Sequence, residues 1–212
     1  MDDRNKMLHL ILFLASIILT IFSAIKPYHY KYWFSGASPV IIIIVVLLLT
    51  YNKFRFTNFT YTLIFISIIF MLFGAHYTYE RMPLFTWIKD LFHFGRNHFD
   101  RVGHTFLGIA GAIVARELLL RRTPLKKGVW LYFLSVSIVL TLAVANELIE
   151  WLSVTYTGDL SYTEIQGDQW DTQWDMFVAL IGAVFGLLAL SNYHDKQINS
   201  ITTNKERESD NH

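Results

Sequence analysis

Residues 128–151 read GVWLYFLSVSIVLTLAVANELIEW. No charged side chain interrupts the run before Glu147, and its length suits a helix that crosses a bilayer, which needs roughly 17–25 mostly apolar residues. The last turns then change character. Asn146, Glu147 and Glu150 appear where such a helix would reach the headgroup region. The two features, a long apolar run and a sudden polar end, recur along the chain and define the fold and the candidate site.

Five further runs fit the same template: residues 7–25, 38–51, 59–75, 102–120 and 172–190. The chain is 53% hydrophobic and only 17% charged over 212 residues, with mean hydropathy +0.36. A soluble domain of this size carries more polar surface. The run from Val40 to Leu49 is short enough to read as a buried strand of a soluble α/β protein, but its neighbours are too long and too apolar for that fold. Arg4 and Lys6 precede the first run as in a signal peptide, yet no small-x-small cleavage site follows, so this segment reads as an uncleaved helix. The expected fold is all-α: one six-span transmembrane domain over residues 1–190, with a polar, disordered tail over residues 191–212. A net charge of +1 gives no electrostatic case for nucleic acid, and the absence of cysteine excludes disulfides and thiolate chemistry.

Orientation follows from the distribution of Lys and Arg. With the N-terminus inside, 12 of the 18 fall on the inner side: Arg4, Lys6, Lys53, Arg55, Arg116, Arg121, Arg122, Lys126, Lys127, Lys196, Lys205 and Arg207. The other 6 fall outside: Lys26, Lys31, Arg81, Lys89, Arg96 and Arg101. Both termini are therefore predicted to be cytoplasmic. Between the third and fourth spans, Leu84, Trp87, Ile88, Leu91 and Phe92 recur at helical spacing, with Lys89, Asp90, His93 and Arg96 elsewhere on the wheel. Residues 83–99 thus read as a short helix lying in the interface, the alternative being a plain surface loop.

Four segments break the apolar pattern: residues 74–81, 96–104, 146–151 and 167–175. Alternating spans carry all four to one face of the bilayer, the extracytoplasmic face in this orientation. Their spacing is helical. Asp100 and His104 are four apart, as are Asn146 and Glu150; Glu147 and Glu150 are three apart. Asp168, Asp171 and Asp175 make one stripe. A carboxylate within a span costs about 2.5–3.5 kcal/mol on insertion scales, so compensation by a cation or a proton is expected. Helix capping partly accounts for Asp100, Asp168 and Asp171, and an aromatic belt accounts for Trp151, Trp170 and Trp174. Neither accounts for Glu147 and Glu150 at a helix C-terminus, or for His104 and Asp175 inside apolar runs. Small residues at intervals of four, Gly182 with Gly186 and Gly108 with Ala112, predict close packing of the fourth and sixth spans, or a homodimer contact.

At these motifs the sequence resembles the bacterial inner-membrane family typified by YjdF. The resemblance rests on His76–Tyr77–Thr78–Tyr79, on Asn97–His98–Phe99–Asp100–Arg101, on Glu147–Leu148–Ile149–Glu150–Trp151 and on residues 168–175; it implies a polytopic fold without implying an activity. A looser similarity is to VanZ-like membrane proteins of glycopeptide resistance. Asp100, Arg101 and His104 meet one VanZ-like pattern. Asp175, Gly182 and Gly186 meet another, in which Ala179 replaces an Asn. Glu147 alone meets a third, with Asn146 and Glu150 departing from it. The Asp168, Asp171, Asp175 spacing is also similar to the magnesium–diphosphate motif of intramembrane prenyltransferases, but the second aspartate motif of that family is missing.

Two function classes follow. As an enzyme, the protein would hold a divalent cation on Glu147, Asp171, Asp175 and Asp100 and use Glu150 or His104 as base. Arg101 and Arg81 would grip a lipid or cell-wall-precursor phosphate. His76, Glu80, His98, Asn146 and Asp168 are secondary candidates. Alternatively, the cluster relays protons, binds a cation for transport, or merely orders helix ends in an envelope-resistance protein. Because the chain has no cysteine, single introduced thiols can report its topology. A Tyr156→Cys variant is expected to react with an impermeant maleimide in intact cells, and Asn211→Cys only after permeabilisation; the reverse pattern would invert the orientation.

Overall fold

A computed structural model describes residues 3–159, 166 and 168–209, with side chains described to residue 201. Gly167 of the fourth polar segment and residues 210–212 of the tail lie outside the described residues. The elements in order are α1 (Asp3–Ser23), α2 (Tyr30–Thr50), α3 (Asn58–Tyr77), a 3-10 turn (Tyr79–Arg81), α4 (Pro83–Phe92), α5 (Phe99–Arg122), α6 (Val129–Thr157) and α7 (Asp171–Ser209). Six of these helices, all but α4, are long and apolar enough to cross a membrane. Among the described residues there is no strand, so Val40 to Leu49 is helical.

The second span begins earlier than expected, at Tyr30 rather than Ser38. Inside this helix Pro39 lacks an N–H and leaves the carbonyl four residues back without its helical partner. That carbonyl belongs to Ser35, and the Ser38 hydroxyl donates to it at 2.9 Å. The local repair lets the helix run through the proline. The N-terminus is capped by His29, whose Nδ1 accepts from the Lys31 backbone N–H at 3.2 Å.

The interfacial segment is also corrected. Its helix ends at Phe92 because His93 adopts a left-handed conformation, φ 55° and ψ 37°. α5 then starts at Phe99, so Asp100 and Arg101 belong to its first turn. The exposed Leu84, Trp87, Leu91 and Phe92 of α4 suit contact with the bilayer interface. A third correction concerns the tail. α7 does not stop at Leu190 but continues to Ser209, and His194, within the expected tail, is fully buried.

α5 and α7 form the centre of the bundle. A Cβ built on Gly108 would overlap the Ala179 carbonyl, and one on Gly182 would overlap the Thr105 carbonyl. The two backbones touch, which only glycine permits at these points. The small-residue motif is thus used within the chain. Ala112, Val139, Ala183 and Leu187 continue the core where α6 packs alongside. α3 covers α5 through Leu63, Ala110 and Ile113, and α2 leans on α3 through Ala37, Val40, Ile68, Leu72 and Ala75. α1 and α6 leave long apolar faces open, including Ile11, Ile18, Val129, Phe133 and Leu142, as lipid-facing helices do. Gly182→Leu should therefore destabilise the bundle by about 3 kcal/mol, at the upper end of overpacking costs. Gly103→Ala, where an added Cβ meets nothing within 4 Å, should be neutral or stabilise by up to about 1 kcal/mol. Chemical denaturation in detergent compares the two.

Candidate functional site

The α5–α7 contact sets the site, because it carries the polar first turns of both helices to the same level. On α5, one turn separates Asp100 from His104, whose Nε2 lies 3.5 Å from Asp100 Oδ1. Asp175 reaches the pair from α7. Asp100, His104 and Asp175 each present a ligand atom, all within 4.8 Å of one another. α6 adds Glu147, which is buried, lies against Thr172 and faces His104 and Asp100. Asp175 Oδ1 is buried with no hydrogen-bond partner, an uncommon state for a carboxylate oxygen.

Two arginines flank this group, and sequence reasoning assigned only one of them. Arg96 grips Asp171 with both ends of its fork: Nη1 donates to Oδ1 and Nη2 to Oδ2 at 3.2 Å. Arg101 donates to Asp168 and, at 3.4 Å, to Asp171, with its guanidinium 5.3 Å from the Trp174 ring centroid. Asp171 is therefore a clamp residue rather than a free ligand. The Asp168 carboxyl is held below the usual aspartate value, first by the Trp170 backbone N–H and then by Arg101. The Arg96 side chain, only 8% exposed, fixes the loop before α5 to the start of α7. Asn97 completes that join, exchanging hydrogen bonds with Gln166 and donating to the Met82 carbonyl and the Thr86 hydroxyl. Both residues stood in the polar segment 96–104, but nothing in a loop's sequence says which helix it meets.

Charge can now be assigned. Arg96 and Arg101 are spent on Asp168 and Asp171. Asp100, Glu147 and Asp175 remain, gathered around one imidazole. Three buried carboxylates so close repel each other unless a cation or a proton is held among them. A divalent cation among two carboxylates and a His is a known donor set for Mg, Mn, Zn or Fe.

The other expected residues are dispersed. Arg81 lies over the Tyr28 ring, 4.1 Å from its centroid, donates to the Tyr28 hydroxyl and pairs with Glu80 at 2.9 Å. His76 Nδ1 donates to the Ser23 carbonyl at 2.9 Å. These three sit beside α1 and α2 and not with the α5–α7 group. His98 ends the loop before α5, edge-on to Phe94; burial, then Arg101 and Arg96, lower its pKa, so it is neutral at pH 7. On α6, Asn146 Nδ2 donates to Glu150 Oε1 at 2.7 Å, leaving Glu150 half-buried, one turn beyond Glu147.

A second buried polar network occupies the opposite end of the bundle, so the clustering on one face is only half of the pattern. Glu117, at the far end of α5, accepts from the Thr57 backbone N–H at 2.8 Å, the Thr57 hydroxyl at 2.9 Å and the Thr60 hydroxyl at 2.6 Å. It also accepts from His194 Nε2 at 3.0 Å and from Arg121. Arg116 bonds His194 Nδ1 at 3.2 Å and Asp195 at 2.6 Å, and Lys127 reaches Asp195 at 2.8 Å. Because an arginine can only donate, His194 Nδ1 must accept and Nε2 carries the proton given to Glu117. In this network both Glu117 oxygens are satisfied, and it joins α3, α5 and α7. Between His104 and Arg116, α5 has no ionisable residue, so the helix offers no relay from one cluster to the other.

Comparison with known proteins agrees with this architecture. The model of a family described as "Predicted membrane protein (DUF2238)" matches residues 8–196. The chain belongs to the DUF2238 family. It is 35% identical over 187 residues to the inner membrane protein YjdF of Escherichia coli (strain K12), an alignment covering 87% of this chain and 90% of that protein. No solved structure matches it. This DUF2238 chain is thus a multi-pass inner-membrane protein embedded in the lipid bilayer. Its second cluster should act as a structural lock: Glu117→Ala is expected to cost about 3–5 kcal/mol, the usual penalty for breaking a buried ionic network. Arg81→Gln, at an exposed pair, should cost no more than about 1 kcal/mol. Denaturation in detergent measures both.

Proposed function

We propose that Asp100, His104 and Asp175, with Glu147 beside them, bind one divalent cation, and that this centre performs metal-assisted hydrolysis or group transfer on a lipid or cell-envelope phosphate. The observation that carries this reading is the set of three ligand atoms within 4.8 Å, one of whose carboxylates keeps a buried oxygen without a partner. The similarity of Asp100, Arg101, His104 and Asp175 to VanZ-like motifs supports an envelope role. His104, first considered as a base, fits better as a ligand, and Asp171 fits better as the residue that orients Arg96 and Arg101.

A cation held by Asp100, His104 and Asp175 would supply Lewis-acid chemistry to a phosphoryl oxygen. Glu150, half-buried one turn beyond Glu147, accepts the proton of the attacking water. The phosphorus–oxygen bond to the lipid breaks, and the departing oxygen takes a proton from solvent. Arg101 binds the phosphate by exchanging it for Asp168, the more exposed of its two partners. Arg81 takes no part. The site lies at the membrane surface, and in the expected orientation it meets the outer leaflet.

Metal analysis of the purified protein tests the centre. One divalent ion per chain is expected after extensive dialysis, and its loss is expected in Asp100→Asn and Asp175→Asn. Glu150→Gln should keep the metal but lower phosphate release from a polyprenyl diphosphate at least 100-fold, within the usual range for a general base. A native chain that takes up no divalent ion would end the proposal.

A further inference from the structure

A groove of about 190 Å³ lies between α1 and α3, lined by Leu19, Phe22, Ile69, Leu72 and Phe73, with His76 at its polar end. It is not part of the α5–α7 site. The opposite side of α3 carries Phe70, stacked on Phe99 and Phe106 of α5 with ring centroids 5.8 and 5.2 Å apart. The groove runs inward from the membrane surface, since Ser23 closes α1 and Tyr77 closes α3. At its end the polar groups satisfy one another. His76 Nδ1 donates to the Ser23 carbonyl at 2.9 Å, and Trp33 Nε1 donates to the Ser23 hydroxyl at 3.1 Å. What remains open is apolar and lies at bilayer depth.

The rim is cationic. The loop after α1 is pinned over the end of α3 by the Tyr28 backbone N–H, which donates to the His76 carbonyl at 2.8 Å. Arg81 sits on the Tyr28 ring and remains about half exposed. Lys26, in the same loop, is exposed, with a left-handed backbone φ of 51°. Glu80 offsets the charge of Arg81, so Lys26 supplies the net positive charge, and the aromatic-backed Arg81 supplies donors.

We propose that this groove is a binding slot for one acyl chain of an anionic phospholipid, whose phosphate is held at the rim by Lys26 and Arg81. The slot's volume suits a segment of a single chain, and its walls match hydrocarbon. The rim pairs one net positive charge with guanidinium donors, which suits a phosphodiester that carries no compensating cation of its own. This gives Arg81 a phosphate-binding role on the far side of α3 from the carboxylate cluster.

The test uses the full chain reconstituted in nanodiscs of equal phosphatidylglycerol and phosphatidylcholine, then released for native mass spectrometry. The native chain should retain phosphatidylglycerol several-fold over phosphatidylcholine. The double variant Lys26→Gln/Arg81→Gln should retain the two equally, and Ile69→Trp, which fills the slot, should lose several-fold of the retained phosphatidylglycerol. Bound divalent metal should be unchanged in both variants, which separates this site from the carboxylate centre. Equal retention of the two lipids by the native chain overturns the proposal, as does either variant behaving like the native chain.

Discussion

Both polar clusters at the ends of α5 and α7 are organised by one apolar contact, the meeting of the two backbones at Gly108 and Gly182. Lipid chains are as apolar as the helices, so burial alone gives membrane helices little reason to associate. Close van der Waals approach supplies that reason, and glycine allows the approach. Once the two backbones touch, the register of one helix against the other is fixed over their whole length. Asp175 is then obliged to lie beside Asp100 and His104, and at the other end His194 and Asp195 lie beside Glu117 and Arg116.

The two ends use the same kinds of residue to opposite effect. Around Glu117 every oxygen is met by a donor, and neighbouring cations answer the charge. Such a network resists change, because any altered member strands a partner in a low-dielectric interior. Around Asp175 the accounting does not close. Arg96 and Arg101 are spent on Asp168 and Asp171, and the inner carboxylates are left facing one imidazole. Two clusters similar in composition are thereby distinguished by their carboxylate oxygens: those of Glu117 are all met and hold the helices, whereas Asp175 Oδ1 has no partner and suits a ligand.

Much of the fold was legible in the sequence because hydropathy and length are local properties. Residues 128–151 needed nothing beyond themselves to be read as a span, and the spacing of Gly182 and Gly186 announced close packing. The misreadings share a cause: each depended on a partner distant in sequence or on a side chain mending the backbone. The second span was placed at Ser38 rather than Tyr30, and the repair by the Ser38 hydroxyl that carries the helix through Pro39 is not visible in composition. Residues 191–201 looked disordered because their charges were counted without Arg116 and Lys127, which neutralise Asp195. Of the proposed site, the side chains that the structure brings together, Asp100, His104, Glu147 and Asp175, were singled out by helical spacing and by being polar in apolar runs. Arg96 and Asn97 were missed as participants because a loop has no periodicity from which its neighbours can be inferred. Arg81 was drawn into the wrong group because sharing a bilayer face is not the same as sharing a site.

The placement of α7 at the centre, although it comes last in the chain, bears on biogenesis. During synthesis, α5 enters the bilayer with Asp100, His104, Arg116 and Glu117 already aboard, and α6 follows with Glu147. Until α7 arrives, neither set has its counterpart: Arg96 and Arg101 await Asp171, and Glu117 and Arg116 await His194. A chain interrupted after α6 therefore exposes stranded charge at both membrane surfaces, a feature that quality-control proteases could recognise in an unfinished product. The final helix acts as a checkpoint as well as a wall, closing both ends of the molecule in one insertion event.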